Sequence, residues 1–397
     1  MDKRSKLKAF AKQVEKQYGE RSLDIGLQTI EMKRIPTGSV MLDLALGGGL
    51  PVGRVSMFYG AKSSGKTTTA YRIAAHAQTL CANCLRPARF DEGPIQHDDE
   101  GPIPPQGYCD CFKEGLFKDP PQQPDENKAD YAARLKGYEV NSYERLWVAI
   151  IDVEGAYDHK WATALGLKSY GAVFARPGSA EEAIDIVDHL VRTGAVDLVI
   201  IDSIAALTPS KEIEASMEDW QQGLQARLVN KFCRKIQSTT LEVTREYGRA
   251  PTHLWINQVR EKIGVTFGSN EVLPGGRGQG FVTSVEVKLW ASDYTKDKLA
   301  GLDYETARSV MINFKVEKNK TAPPKRTGSY LMSLDNGAID DAKLITDFAE
   351  GYGVLSKGEK DWESLGAKFK TKREAVANLL KPENIEQIKN LMLEACK

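Results

Sequence analysis

The stretch Gly60-Ala61-Lys62-Ser63-Ser64-Gly65-Lys66-Thr67 decides the fold of this chain. It matches the pattern G-x-x-x-x-G-K-S/T between an apolar run that ends at Tyr59 and a helical pattern that begins near Lys66. Glycines let backbone N–H groups turn toward phosphate oxygens, and a helix N-terminus adds partial positive charge. We therefore predict that residues 60–68, Thr68 included, bind a nucleotide, with Lys66 at the β- and γ-phosphates and Thr67 as a ligand of Mg²⁺. The alternative is a glycine-rich turn without a ligand.

Apolar runs separated by turn residues lie on both sides of this loop. They are Arg54–Tyr59, Leu146–Asp152, Asp197–Asp202, His253–Asn257, Val282–Trp290, Val310–Val316 and Ser329–Leu334. Several are continuously apolar, as expected of strands buried on both faces. Helical patterns such as Thr67–Gln78 and Ala180–Arg192 alternate with the earlier runs. This alternation predicts an α/β fold with a mostly parallel central sheet.

Composition excludes several classes of protein. The 397 residues carry 54 basic and 54 acidic side chains, and no apolar run approaches the ~18–20 residues that cross a bilayer. The first residues lack the continuous apolar segment of a secretory signal. We expect a cytoplasmic protein without a membrane partner. Zero net charge argues against a uniformly basic surface, but a local basic surface can still bind nucleic acid.

The two ends of the chain have helical patterns. The N-terminal side chains with the spacing of one helical face are Leu7, Phe10, Ala11 and Val14. The tail returns to helical periodicity from about Asp341 and predicts a small C-terminal helical domain. We divide the chain into an N-terminal region, residues 1–33, a core, residues 34–340, and the C-terminal domain, residues 341–397.

Residues 81–144 interrupt the core pattern. They contain eight of the 17 prolines and two cysteine pairs, Cys81-x-x-Cys84 and Cys109-x-Cys111. Four closely spaced thiolates can hold a structural Zn²⁺, although the second pair is tighter than the common spacing. His97 is a spare ligand. A disulfide or redox pair and unligated cysteines are the alternatives. Whether this insertion contacts DNA or a protein partner stays open.

Two further strands end in acidic residues. The run Asp197–Ser203 places Asp202 at a strand end, where a partner of the phosphate loop binds Mg²⁺. The run Ile150–Glu154 places Glu154 where a carboxylate can act as base on the attacking water. The alternative for Glu154 is a surface carboxylate at a strand end.

A series of motifs in chain order resembles the bacterial RecA recombinase family. They are IPTGS at 35–39, LDLALGGGLP at 42–51, GR at 53–54, SSGKT at 63–67, SIAALTP at 203–209, INQVREKIGV at 256–265 and VEKNK at 316–320. The similarity covers most of the chain outside residues 81–144 and is weak after about residue 340. Ala61-Lys62 replaces the family's usual Pro-Glu, and Val272-Leu273-Pro274 replaces its usual threonines.

The resemblance implies a RecA-like P-loop NTPase core and roles at matching positions. Glu154 corresponds to the water-activating glutamate, and Gln258 to the γ-phosphate sensor. Asp158 and Trp161 fall where the family contacts adenine, with Trp161 in place of the usual Tyr. Lys318 and Lys320 fall where the family reaches ATP bound by the neighbouring subunit. Solvated basic side chains at a strand end are the alternative for these two lysines.

The resemblance also implies two DNA-binding loops. The first runs from about Glu214 to Leu224, with Arg227 beyond it, and the second from about Val259 to Gly280. The DNA-binding residues assigned to them are Arg227, Arg260, Lys262, Val265, Phe267, Gly275, Gly276 and Arg277. Cations and glycine-rich backbone suit phosphate contacts, and Val265 and Phe267 suit contacts with bases. A disordered surface loop is the alternative.

The expected function is that of an ATP-dependent DNA recombinase. Subunits would polymerise into a helical filament on single-stranded DNA with ATP between neighbours, then pair with homologous double-stranded DNA and exchange strands. The N-terminal helix would dock on an adjacent subunit, unless it packs on its own core. The alternatives are a ring helicase with a related core and a nucleotide-dependent DNA-binding scaffold without strand exchange.

Overall fold

A computed structural model describes residues 2–18, 32–82, 84–85, 97–98, 101–102, 145–215, 223–261, 271–298 and 305–395. The strands within these residues are β1 (Arg34–Ile35), β2 (Leu50–Pro51), β3 (Val55–Gly60), β4 (His97–Asp98), β5 (Gly101–Pro102), β6 (Val148–Asp152), β7 (Ala172–Ala175), β8 (Leu198–Asp202), β9 (Thr252–Gln258), β10 (Arg260–Glu261), β11 (Glu271–Val272), β12 (Val285–Lys298), β13 (Glu305–Asn319), β14 (Thr327–Ser333), β15 (Ile339–Asp340), β16 (Leu355–Lys357), β17 (Trp362–Ser364) and β18 (Ala367–Phe369). The helices are α1 (Lys3–Tyr18), α2 (Val40–Leu46), α3 (Lys66–Ala77), α4 (His159–Ala164), α5 (Ala180–Thr193), α6 (Ser210–Glu214), α7 (Leu224–Tyr247), α8 (Gly278–Val282), α9 (Ala342–Gly351), α10 (Lys372–Leu379) and α11 (Pro382–Ala395).

Nine of the described strands form the central sheet, in the order β15-β14-β13-β12-β3-β9-β8-β6-β7. The strands from β12 to β7 run parallel to one another. Strands β13, β14 and β15 add to one side in antiparallel pairs. Helices α3, α5 and α7 supply the long crossovers that parallel neighbours need. The prediction of an α/β fold with a mostly parallel sheet is confirmed.

Alternation along the buried strands assigns successive side chains to two hydrophobic cores. In β6, Val148 and Ile150 join the cluster that contains Ile73 of α3. Ala149 and Ile151 point to the other face, where the cluster includes apolar side chains of α5 and α7. Burying each large apolar side chain contributes about 1.5–3 kcal/mol. Burial on both faces therefore explains why these strands are continuously apolar in sequence.

The hairpin of β12 and β13 is longer than the sequence predicted. The apolar patterns predicted strands at Val282–Trp290 and Val310–Val316. In the structure, β12 continues to Lys298 and β13 already begins at Glu305. The added part contains mostly polar residues, and the described side chains from Asp293 to Lys296 are exposed. Strands that pair through their backbones without a buried face have no alternating apolar pattern. The predicted strands were therefore shorter than the observed ones.

The C-terminal region differs from the predicted helical domain in two ways. Besides α9, α10 and α11, the described residues contain a three-stranded antiparallel sheet, β16-β17-β18. The region also shares a hydrophobic cluster with α2, in which Val40 and Leu44 pack with Ile345, Leu379 and Ile388. Strands of three residues are too short to produce a detectable period of two, which explains why they were not predicted.

The predicted insertion leaves and rejoins the core at one place. Cys81 and Arg145 form an isolated antiparallel bridge, and the N–H of Leu146 donates to the carbonyl of Leu80 at 3.3 Å. Arg249 donates to the carbonyl of Ala82 at 2.6 Å. Because β6 begins just after this bridge, the junction lies at the amino ends of the parallel strands.

The N-terminal helix α1 presents apolar side chains to solvent. Leu7 is 52% exposed and Phe10 is 54% exposed, whereas Ala11 is buried. The predicted helix and its apolar face are therefore present, and two of its large apolar side chains are mostly uncovered. In the described part of the chain, we found no helix with the length and apolar character needed to cross a bilayer.

Candidate active site

The register of the sheet brings the predicted nucleotide residues to one edge. Gly60 at the end of β3 is aligned with Gln258 at the end of β9, and Asp152 at the end of β6 is aligned with Asp202 at the end of β8. The carboxyl ends of parallel strands are the usual ligand site of an open α/β sheet. Tertiary structure thus joins segments that lie about 50 to 200 residues apart in sequence.

Close packing explains the two glycines of the phosphate loop. A Cβ at Gly60 would lie 2.1 Å from the carbonyl oxygen of Leu289. Gly65 has a φ of +79°, and a Cβ there would lie 2.8 Å from Cδ1 of Ile312. Helix α3 begins immediately after Gly65, so its first N–H groups face the loop. The loop therefore has the backbone geometry that a phosphate cradle requires.

Lys66 is buried beneath this loop. Its Nζ donates to the carbonyl of Ala61 at 2.6 Å and to Oγ of Ser64 at 3.2 Å. Burial lowers the pKa of Lys66, and the carboxylates of Asp202 and Glu154 oppose that effect. Ala61, Lys62 and Ser63 are exposed. A triphosphate bound in the loop would lie beside the ammonium group of Lys66, which burial has already desolvated.

Asp202 has the surroundings of a cation ligand. Burial raises its pKa to about 7, and the neighbouring carboxylates of Glu154 and Asp152 add to the increase. The hydroxyl of Thr67 donates a hydrogen bond to Asp202, which partly opposes it. Crowded carboxylates with a raised pKa would be stabilised by a divalent cation, so Thr67 and Asp202 fit the predicted Mg²⁺ site.

Glu154 accepts hydrogen bonds from Gln258 at the end of β9 and from Ser203, which follows β8. Its Oε1 accepts a hydrogen bond from Nε2 of Gln258 at 2.6 Å and another from Oγ of Ser203 at 2.5 Å. The predicted base and the predicted γ-phosphate sensor are therefore in direct contact. The hydrogen bond between Ser203 and Glu154 was not predicted from the sequence. The only feature of the sequence that points to Ser203 is its position directly after Asp202.

Asp158 and Trp161 lie together at the start of α4. Oδ1 of Asp158 caps this helix by accepting the N–H of Trp161 at 2.7 Å. The ring of Trp161 is half-buried against the core cluster that contains α3. This contact shows a structural role for Asp158, while the adenine contacts of both residues stay predictions.

Lys318 and Lys320 lie far from the phosphate loop of their own chain. Lys318 is paired with Glu286, which is aligned with Met57, and the N–H of Lys320 donates to the carbonyl of Ser284. The N–H of Ser284 donates in turn to Val55, five residues before Gly60. At about 3.3 Å per residue, Lys320 lies level with a point on the order of 17 Å before Gly60 along β3, and Lys318 level with a point about 10 Å before it. A lysine side chain does not reach that far.

Both lysines contact helix α8 instead. Nζ of Lys318 donates to the carbonyl of Gly280 and lies 3.5 Å from Oε1 of Glu286. Nζ of Lys320 donates to the carbonyl of Phe281 at 2.9 Å, and burial and the nearby cations Lys318 and Arg54 lower its pKa.

The second predicted DNA loop has an ordered base. Arg260 in β10 pairs with Val272 in β11, and the closing arm from Pro274 to Gly276 packs on α7. Gly275 is buried, with a Cβ position 3.1 Å from Val229, and its contact with DNA stays a prediction. The predicted DNA-binding cations that are exposed are Arg227, Arg260 and Arg277. The predicted residues Lys262, Val265 and Phe267 lie outside the described residues.

The cysteine pairs are only partly described. Cys81 is buried and Cys84 is half-buried at the junction of the insertion, whereas Cys109 and Cys111 lie outside the described residues. Among the residues that the structure covers, no group of three His, Cys, Asp or Glu side chains could hold a metal ion. The four-cysteine site stays a prediction.

The fold and this site define a P-loop nucleotide-binding protein with a RecA-like core. A family model described as the RecA N-terminal domain matches residues 5–86 and 141–338. The chain is 34% identical to Protein RecA of Cutibacterium acnes over 359 residues, which are 90% of this chain and 81% of that protein. It is 31% identical to Protein RecA of Bacteroides thetaiotaomicron over 401 residues, covering 99% and 98% of the two chains. With Protein RecA of Trichormus variabilis it shares 33% identity over 397 residues, 99% of this chain and 89% of that one.

The chain belongs to the RecA family. The family predicted from the ordered motifs is thereby confirmed. Both the family match and the chain's own junction at Cys81 and Arg145 leave the proline-rich segment outside the shared core.

Proposed function

We propose that this chain is an ATP-dependent DNA recombinase that assembles into filaments on single-stranded DNA and exchanges strands with double-stranded DNA. Membership of the RecA family supports the class of activity. The observation that carries the assembly is the position of Lys318 and Lys320, which lie level with points about 10 Å and about 17 Å before Gly60 along β3. Cations placed there serve a nucleotide only when it belongs to another subunit. DNA and ATP as ligands favour a cytoplasmic location.

ATP hydrolysis would use residues from one edge of the sheet and from a neighbour. Lys66 and the N-terminus of α3 would bind the phosphates, and Thr67 and Asp202 would hold Mg²⁺, which would offset phosphate charge. Glu154 accepts a proton from the attacking water, and Gln258 turns from Glu154 to the γ-phosphate. Lys318 and Lys320 of an adjacent copy would stabilise charge on the transferred group.

DNA binding would use the exposed cations near the two loops. Arg227 lies in the first turn of α7, and Arg277 follows the arm that packs on the same helix, where the Cβ position of Gly276 is 3.3 Å from Ala226. Contacts from these arginines and from Arg260 to phosphates give affinity without sequence readout. Such binding suits a protein that must accept any DNA sequence.

Mixing two inactive variants tests the shared site. Glu154→Ala removes the proposed base, and the double variant Lys318→Ala with Lys320→Ala removes the cations given to a neighbour. In mixed filaments, some interfaces combine an intact phosphate-loop side with intact lysines, so we expect partial recovery of DNA-stimulated ATP hydrolysis. No recovery at any mixing ratio would contradict a nucleotide shared between subunits. Closed hexamers that unwind duplex DNA would instead favour a helicase.

We also propose a structural Zn²⁺ held by Cys81, Cys84, Cys109 and Cys111. Its support is the spacing of the cysteines and the proline-rich composition of a segment with little apolar material. Metal analysis of the purified chain should find about one Zn²⁺ per subunit. The variant Cys81→Ser with Cys84→Ser should lose it, and retention of one equivalent would rule out this ligand set.

A further inference from the structure

The contact between β9 and the closing arm of the second loop depends on two buried amides. Asn257, which precedes Gln258 in β9, is fully buried, and Gln279 of α8 is 2% exposed. Nδ2 of Asn257 donates to Oε1 of Gln279 at 2.9 Å and to the carbonyl of Pro274 at 3.3 Å. Nε2 of Gln279 donates to the carbonyls of Pro274 at 2.6 Å and Gly276 at 3.1 Å.

These bonds leave little freedom for either amide. Oδ1 of Asn257 accepts the backbone N–H of Gln258 at 2.9 Å, so the same side chain also fixes the residue that contacts Glu154. A buried hydrogen bond that loses one partner exposes the other to the full desolvation penalty. Asn257 and Gln279 therefore move together, or their bonds break together.

The arm held by Gln279 packs on α7, the helix that follows the first predicted DNA loop, and leads into α8, which the two lysines contact. Gly275 and Gly276 pack on the first turns of α7, next to Arg227. Gln279 lies in α8, whose carbonyls at Gly280 and Phe281 accept hydrogen bonds from Lys318 and Lys320. Displacement of Gln279 would thus shift the DNA-binding arm and the lysine supports at once.

We propose that Gln279 is a positioning residue that couples nucleotide state at Gln258 to DNA engagement by the second loop. Gln258 leaves Glu154 when it contacts a γ-phosphate, and its backbone carries that movement to Asn257. The Asn257–Gln279 pair transmits it to Pro274 and Gly276 of the DNA-binding arm. Gln279 is buried and bonded to Asn257, Pro274 and Gly276, so we assign it to the coupling between the sites rather than to binding at either one. This inference rests on the proposed function.

The test measures a coupling factor, the ratio of the dissociation constants for a labelled oligo-dT strand without and with a non-hydrolysable ATP analogue and Mg²⁺. Gln279→Met keeps the length of the side chain but removes its hydrogen bonds. We expect the coupling factor to fall about tenfold, which is within the range of coupled sites. By reciprocity, the tightening of analogue binding by oligo-dT should fall by the same factor. Analogue affinity without DNA should stay at the parent value.

Gln78→Met is the matched control. Gln78 is 1% exposed, and its amide donates to the carbonyls of Lys168 at 2.9 Å and Tyr170 at 3.0 Å, away from the nucleotide edge. It should lose stability and keep the coupling factor. If Gln279→Met does not fold, Gln279→Asn retains the amide on a shorter side chain and should show the same loss.

Three results separate the possible failures. An unchanged coupling factor in a folded Gln279→Met or Gln279→Asn protein would overturn this inference alone. An equal loss in Gln78→Met would overturn it too, because the effect would then follow general destabilisation. If the ATP analogue does not change the DNA affinity of the parent protein, that result would overturn the proposed function and this inference with it.

Discussion

Nε2 of Gln258 donates a 2.6 Å hydrogen bond to Oε1 of Glu154, which is 104 residues away in the chain. The contact forms because β9 and β6 end at the same edge of the sheet, on either side of β8. It uses an oxygen of the proposed base and the amide of the proposed γ-phosphate sensor. This hydrogen bond holds the proposed base and the proposed sensor against each other, and the proposed hydrolysis requires Gln258 to leave Glu154.

Replacing Glu154 by Gln should reduce ATP hydrolysis and spare ATP binding. The introduced amide has nearly the same shape as the carboxylate but could not accept the proton of the attacking water, so we expect a loss of about 10²–10⁴-fold in turnover. ATP affinity, measured by titration calorimetry, should stay within a few-fold. Glu363→Gln, an exposed position on β17, serves as control. Turnover near the parent rate in Glu154→Gln would remove the assignment of the base.

Replacing Phe10 by Ser should weaken self-association without weakening the fold. Phe10 is 54% exposed in the single chain, so little of its burial stabilises the subunit. If α1 docks on a neighbour, loss of one large apolar contact of about 1.5–3 kcal/mol lowers subunit affinity roughly 10- to 100-fold. Sedimentation should show shorter filaments at equal concentration. Thermal unfolding should give an unchanged melting temperature. A lower melting temperature with unchanged filaments would place α1 on its own core.

Replacing His253 by Leu should reduce the loss of stability in acid. Burial lowers the pKa of His253 from 6.5 to about 4, and neither ring nitrogen has a hydrogen-bond partner. The folded state therefore binds fewer protons than the unfolded state, and stability falls as pH drops from about 6.5 toward 4. The shift corresponds to about 3 kcal/mol by pH 4.

Urea unfolding at several pH values between 4 and 8 measures this effect. His253→Leu should show a shallower decline below pH 6.5 than the parent, with the remaining decline partly due to His76, whose pKa is also lowered to about 4 by burial. His189→Leu, at an exposed position, should follow the parent curve. A His253→Leu curve parallel to the parent would contradict the assigned cause.

Replacing Lys389 by Met should loosen the C-terminal region from the core. Nζ of Lys389 lies 2.6 Å from Oδ2 of Asp43, and both side chains are buried between α11 and α2. Removing one partner of a buried ion pair costs about 3–5 kcal/mol because the other charge remains unpaired. Adding Asp43→Asn, which can still accept the N–H of Thr37, should restore part of that loss. Equal stability of the single and double variants would show that the pair is not coupled.

The family and the main sheet were predictable from residues close together in sequence. The phosphate loop is eight consecutive residues between a strand and a helix, and continuously apolar runs such as Leu198–Ile201 indicate strands buried on both faces. The short strands β16, β17 and β18 and the polar end of the β12–β13 hairpin were not predictable in this way. Their pairing depends on backbone bonds rather than on a repeated burial pattern.

The sequence by itself determined which residues could do the chemistry, because Lys66, Thr67, Asp202 and Glu154 stand at fixed offsets from strands that burial makes apolar. Only the tertiary structure decided which of them meet. It joined Gln258 to Glu154 by a hydrogen bond, placed Lys318 and Lys320 out of reach of the phosphate loop of their own chain, and joined Asn257 to Gln279. The reason is that strand order and register, rather than chain distance, set which side chains are neighbours, and a pattern of residues along one strand does not specify its partners.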